Sequence, residues 1–96
     1  PNNIAAERAV LAGLIQYGEK VFVEANELID NNCFYTQNNQ ILYKCLSSLL
    51  SHSKSVDIAT LLTEATSLGL DKVVQDDIGA EYIKSLFSFK IEEANF

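Results

Sequence analysis

Apolar residues recur at helical spacing along most of the chain. The pattern is clearest between Thr36 and Leu50, where apolar residues come in pairs about every four positions, as expected for the buried face of a helix. The members of this stripe are Ile41, Leu42, Cys45, Leu46, Leu49 and Leu50. With Thr36 as a side-chain N-cap, the segment predicts a central helix.

Two helices are predicted before the central one. The first runs from Asn3 to Tyr17, has Asn2 or Asn3 as its N-cap, and ends at Gly18. Its apolar face is formed by Ile4, Leu11, Leu14 and Ile15, with Glu7 and Arg8 on the flanks. The second runs from about Glu19 to Asp30, and its apolar side holds Val21, Ala25, Leu28 and Ile29.

Two helices and a shorter element are predicted after the central helix. The polar run 51–55 is a loop, and Asp57 caps a helix that stops at Gly69 as a C′ glycine. Its apolar residues are Ile58, Leu61, Leu62 and Ala65. A short helix or turn is expected over 71–77. The last helix, 79–89, presents Tyr82, Ile83, Leu86 and Phe87.

Composition favours one helical domain. The chain has 96 residues, 48% of them hydrophobic, which suffices for a single core without disulfides or a metal. The single proline stands at position 1 and there are only four glycines, so few turns are obligatory. We therefore expect an all-α fold, a compact orthogonal bundle of about five to six helices, as one globular domain over residues 1–96.

The charge pattern argues against strong direct nucleic-acid binding. The formal net charge is −6, Arg8 is the single arginine, and the lysines are scattered rather than clustered. No apolar run is long enough to cross a bilayer, and no signal peptide is evident. The expected location is the cytoplasm, with no membrane partner.

No arrangement in the sequence predicts a catalytic, cofactor or metal site. The string from Gly13 to Lys20 superficially resembles a phosphate-binding loop, but the lysine comes one residue late and neither Ser nor Thr follows it. His52, the single histidine, lies among polar loop residues. Cys45 falls in the apolar stripe and Cys33 is distant from it, so the two cysteines do not have metal-ligand spacing.

Aromatic residues are more numerous than a small core requires, and aromatic side chains are favoured at protein interfaces. Together with the absence of a catalytic arrangement, this surplus favours a binding module. The candidate interface residues are Phe87, Phe89 and Tyr17, on the last and the first helix. Core roles are expected for Leu11, Leu14, Phe34, Ile41, Leu42, Leu46, Leu49, Leu61 and Tyr82.

Three stretches, taken in order, resemble the N-terminal domain of DnaB-type hexameric helicases. The opening is Pro-Asn-Asn followed by AERAVLAGLI, which includes Leu11 and Gly13. The second is FYTQNNQILYKCLSSL with the later Val-Asp pair, which includes Phe34, Tyr35, Ile41, Tyr43, Leu49 and Asp57. The third is IGAEYI and then EANF, which includes Gly79 and Tyr82. In this arrangement Phe34 and Tyr35 are expected to fill the core at the N-terminus of the central helix.

The chain departs from the family pattern at three positions of the second stretch. Cys33 stands where the family has Asp, and Asn39 and Gln40 stand where it has His-Arg. The local hydrogen bonds around Asn39 must therefore differ from those of relatives.

The resemblance implies a role that composition alone cannot give. It implies that these domains pair with other copies, build a collar above the helicase hexamer, and recruit the C-terminal domain of primase. It also implies that such a collar often communicates with a helicase loader. It also implies that a helical hairpin begins just after Asn95, and that ATP and magnesium act in a C-terminal ATPase domain absent from these residues. The alternative is a stand-alone helical adaptor without a helicase domain, encoded by a gene that ends soon after Phe96.

Overall fold

The computed structural model describes residues 4–25 and 34–90. Five α-helices lie in these ranges: α1 (Ile4–Tyr17), α2 (Glu19–Ala25), α3 (Gln37–Ser51), α4 (Ile58–Ser67) and α5 (Ala80–Ser88). A π-helical turn, Val73–Ile78, lies between α4 and α5. The all-α prediction is confirmed. The expected N-caps Asn2 and Asn3, the second half of the second predicted helix, and Cys33 lie outside the described residues.

The helix boundaries follow the predicted caps closely. The side chain of Thr36 accepts a hydrogen bond from the backbone N–H of Asn39 at 3.3 Å, so it caps α3 as predicted. Asp57 and Thr60 form a reciprocal capping box at the start of α4. Gly69, with φ 74°, ends α4 in the left-handed conformation that favours glycine.

The π-helical turn was predicted only as a short helix or turn. Its closing hydrogen bond runs from the backbone N–H of Gly79 to the carbonyl of Val74 at 3.0 Å, a five-residue step instead of the four of an α-helix. Val74 and Ile78 are buried, so the wider turn places both apolar side chains in the core. Gly79 then takes φ 86°, which a side chain would strain, and α5 begins at the next residue.

Helix α3 is central, since it packs against α1, α2, α4 and the π-helical turn, while α5 packs against α1 and α4. Its stripe forms the middle of the core as predicted, except that Ile41 is only half-buried against it. Phe34 is also in the core, and its ring lies 4.9 Å from that of Tyr43. The fully buried large side chains outside α3 include Leu11, Leu14, Leu61, Val74 and Leu86.

Three expectations about the first helix and its surroundings were wrong. Ile4 was placed on the buried face, yet 46% of it is exposed because it lies in the first turn, beyond the edge of the core. Tyr35 does not fill the core beside Phe34, since the side chain of Tyr35 is 64% exposed. Glu7, expected on a flank, is only 7% exposed, and the reason is the hydrogen-bond network described next.

Candidate functional site

A buried polar network joins three helices at one end of the bundle. The amide nitrogen of Asn39 donates to Glu7 Oε1 at 2.9 Å, and the hydroxyl of Tyr82 donates to Asn39 Oδ1 at 2.6 Å. These three residues lie on α3, α1 and α5 respectively. An ionised carboxylate can only accept hydrogen bonds, so the Asn39 amide must present its nitrogen to Glu7 and its oxygen to Tyr82. The network therefore has one consistent orientation.

The N-terminus of α3 supplies the other donors to Glu7. The backbone N–H of Tyr35 donates to Glu7 Oε2 at 2.9 Å, and the hydroxyl of Thr36 lies 3.4 Å from Oε1. The positive end of a helix dipole and its free N–H groups favour an anion at this position. Glu7 is thus a carboxylate from one helix bound at the N-terminus of another, which fixes the angle between α1 and α3.

The pKa shifts of Glu7 and Tyr82, the two end groups of the network, fit a bracing role rather than acid–base chemistry. Burial raises the pKa of Glu7, but the hydrogen bonds from Asn39, Tyr35 and Thr36 together outweigh it, so the pKa of this carboxyl is lowered. Burial raises the pKa of Tyr82, aided by the charge of Glu7 and opposed by Arg8 and Asn39. A general acid or base works best with a pKa near the operating pH, and both groups are shifted away from neutrality.

Arg8 closes the network on its outer side. Its guanidinium carbon lies 5.7 Å from the centre of the Tyr82 ring, within the range of a cation–π interaction. The adjacent surface is an open concavity of about 310 Å³ that includes Ile4, Asn39, Ile78 and Tyr82 in its lining. The network therefore forms part of the floor of a surface depression, with apolar side chains on its walls.

A second buried carboxylate joins α3 to α4. Glu64 is 8% exposed, accepts a hydrogen bond from the hydroxyl of Ser48, and lies 4.0 Å from the ammonium of Lys54. It also lies close enough to Cys45 to affect it: burial first, and then the charge of Glu64, raises the pKa of the Cys45 thiol to about 11. Cys45 is accordingly a buried, protonated core residue, as its place in the apolar stripe predicts.

The residues predicted for the family motif are distributed through the core and its caps. Leu11, Gly13, Phe34, Tyr43 and Leu49 are buried. Asp57 caps α4 and Gly79 precedes α5, while Tyr82 is half-buried in the polar network. Their functional roles stay predictions, since a place in the fold does not by itself assign a function.

The three candidate interface residues differ in how much surface they offer. Phe89, just after α5, is 41% exposed, whereas Tyr17 and Phe87 are partly buried against the core. Tyr17 also accepts a hydrogen bond from the side chain of Gln16 at 3.2 Å. Phe89 is therefore the member of the set with most apolar surface free for a partner. The loop residue His52 is exposed as predicted, with one ring nitrogen 2.7 Å from the carbonyl oxygen of Ser48.

Neither buried carboxylate was predicted from the sequence, although a signal for each was present. Glu7 stands four and seven positions before Leu11 and Leu14, on the same helix face as those core leucines. Glu64 stands three positions after Leu61, on the same helix face as that core leucine. An acidic residue in line with a buried stripe indicates a partner inside the protein, because a lone buried charge would be costly.

The described part of the chain holds neither a candidate metal-binding cluster nor a candidate membrane-spanning helix. Among residues 4–25 and 34–90, no three His, Cys, Asp or Glu side chains are grouped so that they could hold a metal ion. In the same part of the chain, no helix has the length and apolar character needed to cross a bilayer.

Known proteins similar to this chain agree with the family resemblance of its sequence. Residues 1–96 match the family model of the DnaB-like helicase N terminal domain. The replicative DNA helicase DnaB of Leifsonia xyli subsp. xyli (strain CTCB07) is 30% identical over 95 residues, which are 99% of this chain and 20% of that protein. The chain thus spans about a fifth of the length of this curated relative. No solved structure matches the chain. Since the family match extends over the whole chain, the chain belongs to the family of DnaB-like helicase N-terminal domains.

Proposed function

We propose that this chain is the collar domain of a hexameric replicative DNA helicase. In this role the domain pairs with other copies and recruits primase or a helicase loader during DNA replication. The observation that carries the proposal is the family match over residues 1–96. The Leifsonia relative, a replicative DNA helicase, supports it.

The geometry supports a binding role over a catalytic one. The polar groups of Glu7, Asn39 and Tyr82 hydrogen-bond to one another, and they brace three helices instead of facing a common reacting atom. A rigid bundle with exposed apolar side chains at several positions suits a domain that acts through its surface. The parent chain is proposed to supply ATP-dependent unwinding from a separate domain that binds ATP and magnesium.

Reading the parent gene past Phe96 is the first test. A helical hairpin, a linker and then a strand leading into GxxxxGK[ST] would support the helicase proposal. A stop codon soon after Phe96 would contradict it and favour the stand-alone adaptor.

Sedimentation of the parent protein and binding of its cognate primase C-terminal domain test the finer roles. We expect a hexamer that binds primase, and we expect Phe89→Ser to weaken pairing or primase binding. The matched control is Val23→Ser, because Val23 is also a large exposed apolar residue, at 63% exposure, but lies on α2. Equal effects of the two substitutions would show that Phe89 has no specific role in the interface. A parent chain that stays monomeric and does not bind primase would contradict the proposed function itself.

A further inference from the structure

The guanidinium of Arg8 has no anionic partner in the described part of the chain. Among residues 4–25 and 34–90, no carboxylate forms an ion pair with it and no acceptor hydrogen-bonds to it. Its Nε is shielded from solvent without an acceptor, whereas its two terminal nitrogens are not buried in this way. A guanidinium presents its N–H donors in a fixed fork that matches a carboxylate. The terminal nitrogens of Arg8 are therefore free to bind a carboxylate from outside.

The ring of Tyr82 holds the guanidinium of Arg8 in place. The guanidinium carbon lies 5.7 Å from the ring centre, and the Tyr82 hydroxyl is itself fixed by its 2.6 Å hydrogen bond to Asn39. A cation over the face of an aromatic ring is attracted by the ring electrons. Arg8 is thus positioned before a ligand arrives, which reduces the side-chain entropy that binding would cost.

An apolar depression adjoins Arg8 at Tyr82. Ile4 stands four positions before Arg8 on α1, so the two side chains are neighbours on one helix face. Ile4 also lines the open concavity of about 310 Å³, together with Ile78 and Tyr82. Because 46% of Ile4 is exposed, an apolar side chain that enters the concavity would remove apolar surface from water. A charged group and an apolar depression therefore lie side by side.

The charges of the chain restrict the kind of anion that fits. The exposed acids Asp77 and Glu81, at the end of the π-helical turn and in α5, do not pair with Arg8. The formal net charge of −6 opposes an anion at long range, so binding must come from direct contact with Arg8. A nucleic-acid strand needs several clustered cations, and no lysine of the described residues lines the depression. A single carboxylate beside an apolar side chain fits this surface better.

We infer that the Arg8–Tyr82 surface binds an acidic peptide segment of a partner protein. The carboxylate of an aspartate or glutamate in that segment accepts hydrogen bonds from the terminal nitrogens of Arg8, and an adjacent apolar side chain enters the depression against Ile4. The inference rests on the proposed function only in the premise that this domain receives protein partners.

The test follows Arg8 directly by NMR. Because Arg8 is the single arginine, its Nε–Hε resonance in the ¹⁵N-labelled chain is identified without further variants. The probe is a short peptide with blocked ends and one glutamate between leucines, and the matched peptide has glutamine instead. We expect the glutamate peptide to shift the Arg8 Nε–Hε resonance and the amides around Ile4 and Tyr82, and to bind about tenfold more tightly than the glutamine peptide. Equal binding of the two peptides, or shifts centred elsewhere, would overturn the inference.

Substitutions separate the charged and the apolar parts of the site. Arg8→Gln should abolish the preference for the glutamate peptide, and Arg8→Lys, which keeps the charge but not the fork, should reduce it. Ile4→Ser should weaken both peptides by a similar factor, and its exposed position keeps the test valid if Arg8→Gln perturbs the packing of Tyr82. Lys72→Gln removes an exposed cation before the π-helical turn, so it is the charge-matched control and should bind as the unmodified chain does. A preference that survives in Arg8→Gln would contradict the inference.

Two other occupants are distinguished in the same spectra. A short single-stranded DNA that shifts the Arg8 resonance at lower concentration than the glutamate peptide would assign the surface to nucleic acid. Shifts that appear when the chain is concentrated without peptide would assign it to a second copy. Either result would overturn the inference. The proposed function would stand, because hexamer formation and primase binding are measured separately on the parent protein.

Discussion

The side chains of Glu7 and Asn39 meet across 32 positions of sequence in a hydrogen bond of 2.9 Å. Glu7 lies in the opening stretch AERAVLAGLI, and Asn39 lies in the second stretch, FYTQNNQILYKCLSSL. The Asn39 amide donates to the carboxylate of Glu7 and accepts a hydrogen bond from the phenol of Tyr82. One side chain of α3 therefore links α1 and α5.

Replacing Glu7 by Gln should destabilise the fold most at neutral pH. The folded protein lowers the pKa of Glu7, so the unfolded chain takes up the proton first as the pH falls. The stabilisation by this carboxylate is thus complete above the pKa of the unfolded chain and is lost as the pH falls through the pKa of the folded state. We expect Glu7→Gln to cost about 1–3 kcal/mol at pH 7. Urea unfolding followed by circular dichroism at a series of pH values measures it.

The control for this experiment is Glu81→Gln, an exposed acid in the first turn of α5. Its difference from the unmodified chain should be small throughout. For Glu7→Gln, the difference in the free energy of unfolding should shrink below about pH 4–5, where carboxyl groups of unfolded chains become protonated. A difference that stays constant from neutral to acidic pH would show that Glu7 does not act as an ionised acceptor.

Substitutions at Asn39 test whether the network is coupled. Asn39→Ala removes one donor to Glu7, which keeps those from Tyr35 and Thr36, and the acceptor of the half-buried Tyr82. We therefore expect a loss of about 1–3 kcal/mol. Tyr82→Phe should cost about 0.5–1.5 kcal/mol. If the two residues act together, the double variant should cost less than the sum of the two single variants, as denaturant unfolding of all four proteins would show. Strict additivity would contradict the coupling.

Asn39→Asp provides a charge test at nearly constant shape. The introduced carboxyl faces Glu7, and two adjacent carboxylates cannot both ionise cheaply, so the folded state raises the pKa of the pair. The folded protein then binds more protons than the unfolded chain, and lower pH should restore stability relative to the unmodified chain. This pH dependence is opposite in sign to the contribution of Glu7 in the unmodified chain, which is lost in acid. An Asn39→Asp variant that loses stability in acid as the unmodified chain does would contradict the geometry.

The sequence predicted the helices and most of the core but missed the polar links between them. Helical periodicity and caps are local signals, which is why the ends at Thr36, Asp57 and Gly69 were predicted correctly. The hydrogen bond from Asn39 to Glu7 depends on how α1 and α3 pack, which local patterns do not specify. The same holds for the exposure of Tyr35. Its neighbour Phe34 points into the core, and the chain turns into α3 at Thr36, which leaves Tyr35 outside.

The capping box at the start of α4 should make a measurable contribution to stability. Asp57 Oδ1 accepts from the backbone N–H of Thr60 at 2.8 Å, and the Thr60 hydroxyl accepts from the backbone N–H of Asp57 at 2.9 Å. Asp57→Ala should therefore cost about 1 kcal/mol in the free energy of unfolding, and Asp57→Asn, which keeps an N-cap oxygen, much less. Asp76→Ala, an exposed acid outside any N-cap, is the control in the same denaturant titrations. A loss as large for Asp76 as for Asp57 would indicate a general charge effect instead of a cap.

The thiol of Cys45 should be unreactive while the protein is folded. It is fully buried, and its pKa is raised to about 11 by burial and by the nearby charge of Glu64, so almost no thiolate is present at pH 8. In a Cys33→Ser background, where Cys45 is the single remaining thiol, we expect labelling by DTNB to be much slower in buffer than in guanidinium chloride. Stabilising conditions should slow the labelling further, because the reaction requires the core between α3 and α4 to open.

Asn39→Ala is a useful companion variant, since its expected loss of stability should speed labelling of Cys45, a residue that it does not contact. Rapid labelling of Cys45 under native conditions, at a rate independent of stability, would show that the α3–α4 core is open to solvent.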